Sequence, residues 1–175
     1  MKKLAFFTIG LLLLGLGASA QISRGGKPFS FSYPLNDNLD AGKLVMPLID
    51  VAALQSRARQ VFEKGEMLPA GQIFPVSLSP ENSGVWTVLP NKDRVWRLAV
   101  QVPDAPATSL YYENFYIPEG AVLYVYNAEK THLIGSFGAH NNSESKLFAT
   151  EIIYTSDCVI EYYEPANVKQ KGSFT

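Results

Sequence analysis

Arg94-Val95-Trp96-Arg97-Leu98-Ala99-Val100 opens the stretch that decides the fold, and Val159-Ile160-Glu161-Tyr162-Tyr163-Glu164-Pro165 closes it. Between them run Phe115-Tyr116-Ile117-Pro118-Glu119-Gly120-Ala121-Val122-Leu123-Tyr124-Val125-Tyr126 and Ile134-Gly135-Ser136-Phe137, then a polar run from His140 to Ser145. Short apolar and aromatic runs alternate with turn residues, and no helical period survives. From Arg94 to Val102 the alternation is clear: Trp96, Leu98, Val100 and Val102 share one face, Arg97 and Gln101 the other. This pattern predicts a mainly β fold, an antiparallel β-sandwich of the jelly-roll or CUB-like kind with about eight strands.

Working outward, the sandwich is expected over residues 71–168. Its strands are Ile73 to Leu78, Val85 to Leu89, Arg94 to Val102, Ser109 to Tyr116, Ala121 to Tyr126, His132 to Phe137, Lys146 to Thr150 and Cys158 to Tyr163. Pro75 and Pro80 make the first of these an edge strand. Residues 169–175 read as the start of a linker or of a truncated next element. Residues 21–70 form a leader with one short N-terminal helix near 50–63. Asp50 is its N-cap, Leu54, Ala58, Val61 and Phe62 make an apolar stripe, and Gly65 supplies the stop. So short a helix is marginal alone in water and needs something to dock on. Gly25-Gly26-Lys27-Pro28-Phe29-Ser30-Phe31 reads as a short edge strand or as a peptide lying on the domain.

Residues 1–20 read as a signal peptide. Lys2 and Lys3 form the positive region, Leu4 to Leu16 the apolar region, and Ala18-Ser19-Ala20 the cleavage site, with the cut between Ala20 and Gln21. The apolar run is shorter than a membrane-spanning helix needs. The expected location is therefore secreted, periplasmic or on the cell surface. Of the 15 basic and 16 acidic residues, Lys2 and Lys3 leave with the signal and no acid does. The balance turns slightly acidic, which makes no basic field for nucleic acid. Cys158 is the only cysteine, so no intrachain disulfide forms.

Chemistry is sparse. A serine-protease triad needs serine, histidine and an acid, and only His132 and His140 are available. Ser143 and Ser145 lie near His140, yet no Gly-Asp-Ser-Gly-Gly-like run accompanies them. No Cys or His pair has zinc-ligand spacing. Asn141-Asn142-Ser143-Glu144 has oxygen donors but lacks the Asp count of a calcium loop. No catalytic, cofactor or metal residue is assigned. Tyrosines remain, and Tyr111, Tyr112, Tyr124, Tyr126 and Tyr163 are the candidate interaction surface for protein or carbohydrate.

The order of several motifs resembles a known family. They are Gly25-Gly26-Lys27-Pro28, Ser83-Gly84-Val85-Trp86, Arg94-Val95-Trp96-Arg97-Leu98, Pro118 to Tyr126, Gly135-Ser136-Phe137, Asn141-Asn142 and Ile160-Glu161-Tyr162-Tyr163-Glu164-Pro165. In these the chain resembles the N-terminal, non-catalytic region of secreted lysyl-endopeptidase-like, trypsin-fold serine proteases of Bacteroidetes-type bacteria. The resemblance implies a propeptide-like or accessory module, not an enzyme in itself, whose partner is a trypsin-like protease domain in cis or in trans. Pro103-Asp104-Ala105-Pro106 and Tyr154-Thr155-Ser156-Asp157 depart from the family's turns. Two other readings stand beside it: a carbohydrate- or protein-binding adhesion module, and the front of an active serine endopeptidase.

Overall fold

The computed structural model describes residues 23–35, 38–68 and 71–175. The expected signal peptide and its expected cleavage point at Ala20 and Gln21 lie outside the described residues. The described residues are mainly β, with one α-helix and eight strands in two sheets.

The larger sheet grows from the two longest strands. β3 (Arg94–Gln101) and β8 (Asp157–Glu164) run antiparallel over eight pairs, from Arg94 opposite Glu164 to Gln101 opposite Asp157. β5 (Val122–Asn127) pairs with the far side of β8, and β6 (Leu133–Phe137) with β5. The other side of β3 is shared. β2 (Val85–Val88) pairs antiparallel with its first half, and β1 (Leu44–Val45) pairs parallel with Val100 and Gln101. The sheet is therefore mixed, which corrects the purely antiparallel expectation. A parallel pair needs a long crossover, and the chain between β1 and β3 supplies it.

The smaller sheet is β4 (Tyr111–Tyr112) with β7 (Phe148–Ala149), and single bridges join Thr108 to Ile153 and Tyr116 to Ser173. Its residues meet one face of the larger sheet. Trp96, Leu98, Val100, Leu123, Val125, Ile160 and Tyr162 from the large sheet share a core with Tyr112, Phe115, Ile117, Phe148, Ile153 and Phe174. Burying each large side chain contributes about 1.5–3 kcal/mol, so this cluster carries most of the fold's stability.

Residues 169–175, expected as a linker or a truncated element, reach this core. Phe174 meets Trp96, Tyr112 and Tyr162 edge-on, and Thr175 exchanges two backbone hydrogen bonds with Glu113. Glu164, buried, holds the tail in place. Its Oε1 accepts from Arg94 and its Oε2 from the Tyr162 hydroxyl and the Gly172 amide.

The segment 73–78 is not a strand. Ile73 and Val76 are exposed, while Phe74 and Leu78 pack against the core. Pro75 removes a ladder donor there, and alternation alone does not make a partner. The strand expected over Ser109 to Tyr116 pairs within its sheet only at Tyr111 and Tyr112.

Candidate interaction surfaces

The opposite, outer face of the large sheet carries Ala99, Tyr124, Tyr126 and Val159, and it is covered by the leader. The leader begins at one edge of the sheet. Gly25 exchanges backbone hydrogen bonds with Gly135 and Ser136, both 3.0 Å, along β6. It then crosses β5 and β8 as a 3-10 turn at Phe29–Phe31, passes a second turn at Leu39–Gly42, and ends as β1 on the far edge. The reading of Gly25 to Phe31 as a peptide lying on the domain is the one observed.

This crossing is fastened at a buried polar node. Glu161 on β8 is 1% exposed. Its Oε1 accepts the Ser30 amide at 3.0 Å; its Oε2 accepts the Ser30 hydroxyl at 2.5 Å and the Tyr126 hydroxyl at 2.9 Å. Buried Arg97 is the register partner of Glu161 on β3 and lies on the same face of the sheet. Tyr126 is driven to hold its proton, first by burial and then by the charge of Glu161. It therefore serves as a donor throughout the physiological range. Phe29 stacks between Tyr33 and Tyr163, and Phe31 meets Tyr126 edge-on. At the sheet's margin, Tyr163 also donates to Asp93, and burial followed by that bond pushes its hydroxyl up to about 12.

The five tyrosines therefore do not form one exposed line. Tyr111 is exposed on the outer side of the small sheet, while Tyr112 is buried on its inner side. Tyr124 and Tyr126 are buried on the outer face of the large sheet, and Tyr163 is half-buried under Phe29. Residues of alternate parity on different strands looked alike in sequence, and the layer above each strand separates them.

The exposed apolar surface lies elsewhere. Among the described residues from 42 to 78, none is buried. This arm leaves the sheet after β1 and returns at Ser79. Its helix α1 (Val51–Glu63) is well made: the Asp50 carboxylate accepts from the Ala53 amide at 2.8 Å, and Gly65, at φ +69°, closes the other end. There the Glu66 amide reaches the Val61 carbonyl and the Gly65 amide the Phe62 carbonyl, a Schellman closure that needs a left-handed residue. The expected stripe is only half covered. Leu54, Ala58 and Val61 are partly exposed and Phe62 is 72% exposed. Leu48, Met67 and Ile73 add to the same exposed set, with Met67 94% exposed. The arm touches the core through Met46, Ile49, Phe74 and Leu78, which anchor its roots rather than the helix.

The histidines and the polar loop have local partners. His132 stacks on Tyr154, and its Nδ1 accepts the Tyr154 amide at 3.3 Å. His140 sits in the 3-10 turn Ala139–Asn141. Ser143 and Ser145 bond each other at 2.9 Å. Asn141 accepts from the Gly138 amide, and Asn142 bonds both the amide and the carbonyl of Ile117 at 2.8 Å. Their oxygen donors serve the fold. Among the described residues, no group of three His, Cys, Asp or Glu is placed to hold a metal. Cys158 is buried, and burial followed by the charge of Asp157 pushes its thiol up to about 12. No described helix is long and apolar enough to cross a membrane. No family model matches the sequence, and no solved structure matches the chain.

Proposed function

We propose that the chain is a secreted, non-catalytic β-sandwich module of the propeptide or accessory type, which acts by contact with a trypsin-like protease domain in cis or in trans. The large sheet faced by the small one and the tail supports the sandwich reading. The resemblance carried by the motifs supports the choice of partner. One observation supports action through contact: an ordered, capped helix with no buried residue, carried on an arm that exposes Leu48, Phe62, Met67 and Ile73. A capped helix of 13 residues with an uncovered apolar stripe gains little by standing alone. It gains apolar burial when a second domain covers it, and stable pairs bury about 800 Å² on each partner.

The test is site-specific cross-linking in the native host. A photoreactive phenylalanine analogue replaces Phe62 or Met67, with Tyr111 as the control position. Adducts from the two arm positions to a trypsin-like domain support the proposal. It fails if the arm yields no adduct, or if the adducts are to unrelated proteins or glycans.

A further inference from the structure

We infer that the outer face of the large sheet is a recognition site for a linear peptide segment carrying a serine between two aromatic residues, and that residues 25–31 occupy it in cis. This rests on the covered face, not on the arm.

Beyond its edge pairing at Gly25, the segment lies on the face as a turn rather than woven in as a strand. Its backbone bonds from Phe31 to Tyr33 are its own: the Phe31 amide reaches the Pro28 carbonyl, and the Ser32 and Tyr33 amides reach that of Phe29, all at 3.1 Å. A turn-shaped peptide with its bonds satisfied internally is preorganised, and preorganised ligands lose less entropy on binding. The sheet meets it at three places. Gly25 pairs with Gly135 and Ser136. Ser30 places its amide and hydroxyl on the two oxygens of Glu161. The rings of Phe29 and Phe31 lie on Tyr163 and Tyr126.

Each place selects a residue type. A Cβ at residue 26 would stand 2.5 Å from the Tyr124 hydroxyl, so glycine is required where the peptide passes over β5. The Glu161 carboxylate takes a donor pair that an alanine at residue 30 would only half supply. Bonds to a buried carboxylate are stronger than neutral ones, and they discriminate most where water is excluded. The site is built from three strands: Tyr126 from β5, Glu161 and Tyr163 from β8, and Arg97 from β3.

The experiment keeps the whole chain. A specific protease site is inserted after Leu35, the purified protein is cut, and the nicked complex is offered a fluorescent synthetic peptide of residues 23–35. Saturable uptake by the cut protein is expected, with uptake excluded from the uncut protein. A peptide with Ser30→Ala is expected to bind at least about tenfold more weakly, the scale of losing one hydrogen bond to a charged group. The inference is overturned if the cut protein takes up no peptide, or if uncut and cut protein take it up alike. Equal binding of the Ser30→Ala peptide also overturns it. So does loss of the near-ultraviolet circular dichroism of the body when the segment leaves, because the segment is then part of the core and not a ligand.

Discussion

Ser30 and Glu161, 131 residues apart in the chain, are joined twice, amide to Oε1 and hydroxyl to Oε2. The first described stretch of the chain is thereby tied to the last strand. Glu161→Ala leaves the Ser30 amide and the Tyr126 hydroxyl short of an acceptor and Arg97 without the carboxylate opposite it. The expected loss is about 2–4 kcal/mol, the cost of leaving buried donors without their charged acceptor. Glu161→Gln keeps the shape and one acceptor, and should lose about 1–3 kcal/mol. Urea denaturation of the three proteins checks the order; equal stability of all three would show that the node does not hold the leader.

Gly172 faces Tyr162 with no room between them. A Cβ there would stand 2.1 Å from the Tyr162 hydroxyl and 3.2 Å from the Pro118 ring. Tyr162 is fully buried and bonded to Glu164, so it cannot step aside. Gly172→Ala should destabilise by about 1–3 kcal/mol. Adding Tyr162→Phe removes the nearer clashing atom but leaves the ring carbon Cζ at 2.7 Å and breaks the bond to Glu164, so the double variant should recover at most a small part of that loss, read in the denaturation midpoint.

Asp157 faces Lys43 at 2.5 Å, which ties the residue before β1 to the start of β8. The hydrogen bond from Lys43 holds the Asp157 carboxyl below its usual range, against the opposing effect of burial. A depressed carboxylate contributes stability above its unfolded pKa of about 3.9 and loses it as pH falls through the folded value. Lys43→Met should therefore cost up to about 1 kcal/mol at pH 7, and the gap to wild type should close below about pH 4. A gap that stays constant down to pH 2 would assign it to packing of the lysine stem.

The Tyr112 hydroxyl is buried with no hydrogen-bond partner among the described residues. Burial there also keeps it protonated. Its apolar neighbours Phe115, Phe148 and Phe174 accept a phenyl ring equally well. Tyr112→Phe should be neutral or stabilising by up to about 1 kcal/mol, since an unmade buried bond is removed. A loss above that in thermal melting would mean the hydroxyl has found a partner.

Phe62 is exposed on α1, and its removal should leave the isolated chain untouched. Phe62→Ser is expected to change stability by under about 0.5 kcal/mol. The same change should abolish cross-linking from Met67 to the proposed protease partner. Destabilisation above about 2 kcal/mol would show that the arm folds back on the body.

Period-two alternation with turn residues between the runs made β2, β3, β5, β6 and β8 legible, and the cap, stripe and glycine did so for α1. These signals are local: a strand or helix writes its own geometry into neighbouring residues. What covers each face is not local. Val159, Glu161 and Tyr163 point away from the core in sequence, and only the leader lying on β8 decides that Glu161 is buried and not solvated. The two-residue parallel β1 carries no period at all, and its pairing depends on where the leader ends. Ile73 to Leu78 alternated as well as a strand should, but the edge of β3 was already taken by β1 and β2. The sequence alone determined the helix and most of the extended segments, because backbone preference and turn chemistry act over a few residues. The tertiary structure alone decided which faces are shared, which tyrosines are hidden and which helix is left uncovered, because burial depends on residues that meet from far apart in the chain.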